Sequence, residues 1–151
     1  LRFARKMYVV DTCIINRLVD GLLSTSDLPG DGEFLATHVQ VDELNKTSNS
    51  ERRAQLFLKF TTTIDAMVPT ESVVLGVSRL GHSKISDGTR YDILKADLDS
   101  MNHGKANNAQ DALIAEVAIA NGYVLLTADY DLAKAAERHG CKVRHFSTKD
   151  R

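Results

Sequence analysis

Two neighbouring stretches constrain this chain more than any others: Asn107-Asn108-Ala109-Gln110-Asp111-Ala112-Leu113-Ile114-Ala115 and Tyr123-Val124-Leu125-Leu126-Thr127-Ala128-Asp129. The first reads as the start of a buried helix. Its one acid, Asp111, falls in the first turn, ahead of Ala112 to Ala120, which are apolar except for Glu116. A helix that is apolar nearly all round belongs inside a domain. Gly122 ends it as a C′ residue. The second stretch reads as a buried strand that ends on an acidic turn. Acids at both entrances point to a metal site and direct the search for its other ligands.

The rest of the chain supplies strands and helices in alternation. Met7-Tyr8-Val9-Val10 is short, apolar and β-prone, with Asp11 at its C-terminal end. Thr12 follows, and Ile14, Ile15, Leu18 and Val19 recur at helical spacing. Ser24 to Gly32 is a loop by composition. Phe34 to Thr37 is expected to be a short strand. His38 to Asn45 reads as a helix with Val41 and Leu44 on one face and Asp42 and Glu43 beside them. A helix is expected from Arg52 to about Met67, with Leu56, Phe57, Phe60 and Ile64 as its apolar stripe and Pro69 as its stop. Ser72 to Val77 is expected to be a further strand, and Gly81 to Gly88 a polar loop. Tyr91, Leu94, Leu98 and Met101 mark a helix over Thr89 to Met101. A last helix is expected near Leu132 to His139. Lys142 to Phe146 then alternates like an edge strand. This order predicts an α/β fold: a three-layer α/β/α sandwich around a central, mostly parallel sheet.

The 151 residues suit one domain, expected over residues 7–147, with no internal repeat or linker. Leu1 to Lys6 is expected to be a short basic leader or a remnant of another sequence. Cys13 and Cys141 form no CxxC pair, which suits a reduced, cytoplasmic setting. No apolar run approaches the roughly 20 residues that cross a bilayer. The net charge of −1 excludes a broadly basic nucleic-acid binder. It leaves open a local site, because clustered carboxylates offset basic residues in the sum.

In open α/β sheets, ligands sit beyond the carboxyl ends of the strands, where strand order reverses. Asp11 and Asp129 follow strands there, Asp111 opens a helix near that edge, and Glu43 comes from an early helix. Carboxylates gathered together repel and raise one another's pKa values unless a cation holds them. Oxygen ligands without His or Cys point to Mg²⁺ or Mn²⁺ rather than Zn²⁺. Such ions suit in-line phosphodiester hydrolysis.

Taken together these pieces resemble the PIN domain, a family of metal-dependent nucleases that includes the VapC-type toxins of bacterial toxin–antitoxin pairs. The resemblance runs from Met7 to Phe146. It rests on the strand ending in Asp11-Thr12, on Val41-Asp42-Glu43-Leu44, on Gln110-Asp111-Ala112-Leu113-Ile114-Ala115 and on Leu125-Leu126-Thr127-Ala128-Asp129. It implies a metal-binding and catalytic set of Asp11, Glu43, Asp111 and Asp129. Thr127 would be the hydroxyl residue that orients the last acid or the substrate, and Thr12 is a weaker candidate for a similar role. Asp131 would share or replace the metal-binding role of Asp129, although the Thr-x-Asp spacing favours Asp129. The resemblance also implies an RNA substrate, a small antitoxin partner and a homodimer.

Each acid alone has a plainer reading. Asp11 is a good helix N-cap, Asp111 complements a helix dipole, Asp42 and Glu43 fit a solvated face, and Asp129 and Asp131 fit a turn. Arg52, Arg53, Lys46 and Lys59, and again Lys142, Arg144 and His145, are either phosphate contacts or solvated faces. The scattered His residues show no metal-ligand spacing, and Cys13 has no His partner that would make it a nucleophile. The functional alternative is a non-catalytic or weakly active RNA-processing or binding module that works through protein partners. A phosphotransfer receiver domain fits poorly, since Ser78 and Arg79, not Asp, follow Ser72 to Val77.

Overall fold

A computed structural model describes residues 5–78, 81–82, 84 and 88–147. At its centre five parallel strands lie in the order β3-β2-β1-β4-β5. They are β1 (Lys6–Val10), β2 (Gly32–Ala36), β3 (Ala66–Met67), β4 (Val124–Thr127) and β5 (Lys142–His145). The central pair owes its place to continuous apolar sequence. A parallel strand covered on both faces cannot alternate with polar residues, and Tyr8-Val9-Val10 and Leu125-Leu126 are all buried.

The side chains divide by strand period between two cores. Val9 and Leu125 face α4 (Thr89–Asn102), α5 (Asn108–Asn121) and α6 (Tyr130–Arg138). Tyr8, Val10 and Leu126 face α1 (Thr12–Val19) and α3 (Ser50–Thr63). Helix α2 (His38–Asn45) bridges the layers, with Val39 in the first core and Leu44 in the second. The expected α/β/α sandwich with a parallel sheet is therefore what the chain forms. From β1 the chain first adds β2 on one side and later β4 on the other. The reversal lies between β1 and β4, where the carboxyl ends of two adjacent strands open a crevice.

Several boundaries differ from expectation. Helix α3 ends at Thr63, and Ala66–Met67 forms edge strand β3 rather than a last helical turn. Ser72 to Val77 is not a strand. Val77 N–H donates to the Val74 carbonyl, Val74 N–H donates to Ser78 Oγ, and Gly76 has φ 83°. Leu75 is 96% exposed, while Val74 and Val77 pack against the core without joining the sheet. Strand β1 begins at Lys6, and Arg5 donates to the Gly32 carbonyl, so the expected leader reaches into the sheet. Residues 1–4 and most of the stretch from Arg79 to Gly88 lie outside the described residues. Among the described residues, no helix is long and apolar enough to cross a membrane.

Candidate active site

The crevice is built from Asp11 outward. Asp11 follows β1 and is the N-cap of α1, so the capping role and the site role fall on one residue. Its Oδ1 accepts from Thr12 N–H at 2.8 Å. Its Oδ2 accepts from Thr127 Oγ at 2.7 Å and from the Cys13 thiol at 3.1 Å. Strand pairing makes this possible. Val10 lies opposite Leu126 and Asp11 N–H donates to the Leu126 carbonyl, which sets Asp11 beside Thr127.

Two threonines tie neighbouring acids into the same frame. Thr127 Oγ accepts from Asp129 N–H at 3.0 Å while donating to Asp11. Thr12 Oγ donates to Glu43 Oε1 at 2.7 Å. Asp129 in turn caps α6, its Oδ1 accepting from Asp131 N–H and Leu132 N–H. Asp131 sits in the first turn of that helix, and its backbone leans on Asp129. Asp111 lies in the first turn of α5 and is buried. Among the described residues, its carboxylate has no hydrogen-bond partner.

The electrostatics show that these side chains share one field. Burial pushes the Asp111 carboxyl up to about 9, with Asp11, Glu43 and Asp129 adding to the rise and Lys105 opposing it. Burial also raises Glu43 to about 7. The Thr12 hydrogen bond opposes that rise, Asp11 adds to it, and Lys46 and Lys105 oppose it. Asp11 is raised by burial against the pull of its Thr127 and Cys13 hydrogen bonds, with Asp129 adding repulsion. The Cys13 thiol is raised by burial and by Asp11, which makes it a hydrogen-bond donor to the carboxylate rather than a thiolate.

The structure thus gathers Asp11, Glu43, Asp111, Asp129, Thr127 and Thr12 in one crevice. As placed, no three His, Cys, Asp or Glu side chains among the described residues converge as a metal cage. The donor set is nonetheless all carboxylate oxygen, which suits a hard divalent ion. The buried Asp111 carboxylate without a partner is the group that most needs a cation.

Four of the other candidates have structural partners. Arg52 donates to Asp20 at 2.7 Å and to Asn16 at 3.0 Å, joining α3 to α1, and Arg53 donates to the Thr47 carbonyl. The Arg144 guanidinium lies over the Phe146 ring, and His145 is 3.3 Å from the Ala128 carbonyl. Sequence reasoning missed Lys105, whose Nζ lies 3.9 Å from Asp129 Oδ2. The signal for Lys105 was its place in the turn that opens the helix carrying Asp111.

No family model matches the sequence, and no curated protein matches it. Solved structures match along nearly the whole chain. VapBC2 from Rickettsia felis, bound to a DNA fragment from the promoter, is 16% identical with a TM-score of 0.58, over 93% of this chain and 99% of that one. VapBC-1 from nontypeable Haemophilus influenzae is 19% identical with a TM-score of 0.58, over 92% and 97%. A domain of a functionally unknown protein from Methanocaldococcus jannaschii is 19% identical with a TM-score of 0.55, over 97% and 94%. The five-strand parallel sheet and its flanking helices give this chain the PIN-like α/β/α fold of the VapBC structures.

Proposed function

We propose that this chain is a Mg²⁺- or Mn²⁺-dependent endoribonuclease that hydrolyses RNA phosphodiester bonds. The observation that carries the reading is the gathering of Asp11, Glu43, Asp111 and Asp129 at the β1/β4 crevice, with the buried Asp111 carboxylate lacking a hydrogen-bond partner among the described residues. These four residues would hold the ion, with Asp131, in the first turn of α6, as an alternative to Asp129. A divalent ion held there supplies an activated water and the positive charge that phosphodiester hydrolysis needs. Thr127 and Thr12 fix the carboxylates, and their hydrogen bonds hold oxygens in place that would otherwise rotate. The likeness of the fold to VapBC structures supports a further reading, that the chain is a cytoplasmic toxin held by a small antitoxin and acting as a homodimer.

The test is cleavage of an end-labelled, mixed-sequence RNA with Mg²⁺, with Mn²⁺ and with EDTA, beside Asp11→Asn. Cutting is expected with either metal, and none in EDTA or in the folded variant. Cutting that persists in Asp11→Asn would remove the site assignment. Absence of both cutting and Mn²⁺ binding in the wild type would favour the non-catalytic binding module instead.

A further inference from the structure

Among the described residues two lysines act on the acid crevice, Lys46 and Lys105, and Lys105 is the one with an ion-pair contact there. Lys105 Nζ lies 3.9 Å from Asp129 Oδ2, with the lysine side chain 54% exposed and the Asp129 side chain 28% exposed. The residue sits in the turn between α4 and α5, where its backbone N–H donates to Asn102 Oδ1 and its carbonyl accepts from Asn108 N–H. The same turn is locked by Asn108, which is buried and donates to Asp99 and Asn102. The backbone of Lys105 is therefore held while its long side chain stays free to swing. Other lysine–acid ion pairs lie elsewhere. Lys95 pairs with Asp99 along α4, and Lys6 pairs with Asp31 at the far end of β1.

Resting on the nuclease reading above, we propose that Lys105 is an exchangeable counter-ion. It neutralises Asp129 when no divalent ion is bound, and contacts a phosphate oxygen of the RNA backbone when one is. The physical argument is competition for one carboxylate. A half-exposed ammonium at this distance interacts weakly with its partner, so a divalent ion on Asp129 displaces it. The released ammonium remains at the rim of the crevice, tethered by the locked turn. A polyanion entering a crevice lined by carboxylates needs positive charge at that rim. A lysine suits an exchanging role because its charge is compact and its stem flexible.

This assignment makes two effects of Lys105→Gln run in opposite directions. Calorimetric titration of Mn²⁺ into the RNA-free protein should show tighter binding, by about fivefold, because a competing cation is gone. The KM for RNA at saturating Mn²⁺ should rise several-fold, and its salt dependence should flatten by about one phosphate contact, a slope change of ~0.7. Lys6→Gln at the opposite, amino end of β1, an equal charge change remote from the crevice, should alter neither. Lys105→Gln that behaves like the wild type in both assays would overturn the proposal, leaving a solvated surface lysine. Weakening of both metal and RNA binding would also overturn it, since a merely structural lysine gives that result. Wild type that binds no Mn²⁺ would instead remove the metal site, and this proposal with it. Wild type that binds Mn²⁺ without cutting RNA, with tighter metal binding in the variant, would retain the counter-ion and remove the RNA contact.

Discussion

Thr127 shows how much one hydroxyl can carry. It accepts from the Asp129 amide and donates to Asp11, so two acids on separate turns are held to one oxygen. Thr127→Val keeps the shape and removes both bonds. It should destabilise the fold by about 1–3 kcal/mol, because a buried carboxylate and a backbone amide lose their partner. On the proposed function, it should also lower cleavage by about 10–100-fold. Urea denaturation and initial rates check the two effects separately. Loss of stability with full activity would show that Asp11 needs no orienting hydroxyl. Asp111 is the opposite case, a buried acid with burial and three neighbouring acids raising its pKa. Asp111→Asn removes that repulsion. The variant should lose metal-dependent cleavage while its metal-free form melts about 3–6 °C higher, a gain of ~1–2 kcal/mol. A lower Tm in EDTA would contradict the reading of Asp111 as an acid whose burial costs stability.

At the scale of elements, the pairing of β1 with β2 depends on one glycine. Gly32 lies opposite Lys6, and a Cβ built on it would fall 2.1 Å from the Lys6 carbonyl oxygen and 2.9 Å from the Tyr8 ring. Neither neighbour can retreat, since one is backbone and the other is buried in the core. Gly32→Ala should therefore cost about 1–3 kcal/mol, read as a lower urea midpoint at unchanged slope. A neutral substitution would mean that the β1–β2 approach relaxes in solution. The sheet also shows what was legible in the sequence. Strands β1 and β4 were readable because a parallel strand covered on both faces must be apolar throughout, and because β1 runs into Asp11 and β4 into the turn that carries Asp129. Strand β3 was not readable: two residues, Ala66 and Met67, give no period, and they follow a helix whose stripe ran up to them. Ser72 to Val77 misled for the reverse reason. Its side chains favour a strand, but β3 takes the sheet edge beside β2, and a turn at Gly76 consumes the hydrogen bonds instead. The positions of Asp11, Asp111 and Asp129 followed from where elements begin and end. The Thr12–Glu43 bond and the reach of Lys105 depend on side-chain direction, which spacing along the chain does not encode.

For the whole molecule, the raised carboxyls tie stability to pH. Asp111 rises from 3.8 to about 9 and Glu43 from 4.5 to about 7. A pKa higher in the folded than in the unfolded state means that the native protein holds its protons longer. The stability these groups contribute is complete below about pH 4 and is lost as pH rises through about 7 and then about 9. The Tm of the metal-free wild type should thus fall relative to that of Asp111→Asn between about pH 5 and about pH 9. Excess Mn²⁺ should raise the wild-type Tm most at the alkaline end, where the carboxylates it binds are charged. Parallel melts of the two proteins, with EDTA and with Mn²⁺, test this. Equal pH slopes in EDTA would refute it.

The bond between Thr127 and Asp11 joins residues 116 positions apart. Strand β2 can meet β1 as soon as the first few dozen residues leave the ribosome, but the crevice has only one wall until β4 arrives. Long-range pairing of this kind forms late, because the entropy of closing the intervening loop opposes it. A nascent chain halted between β2 and Thr127 therefore carries Asp11 without the strand and hydroxyl that hold it, and the synthesising cell meets an assembled site only in chains extended past β4.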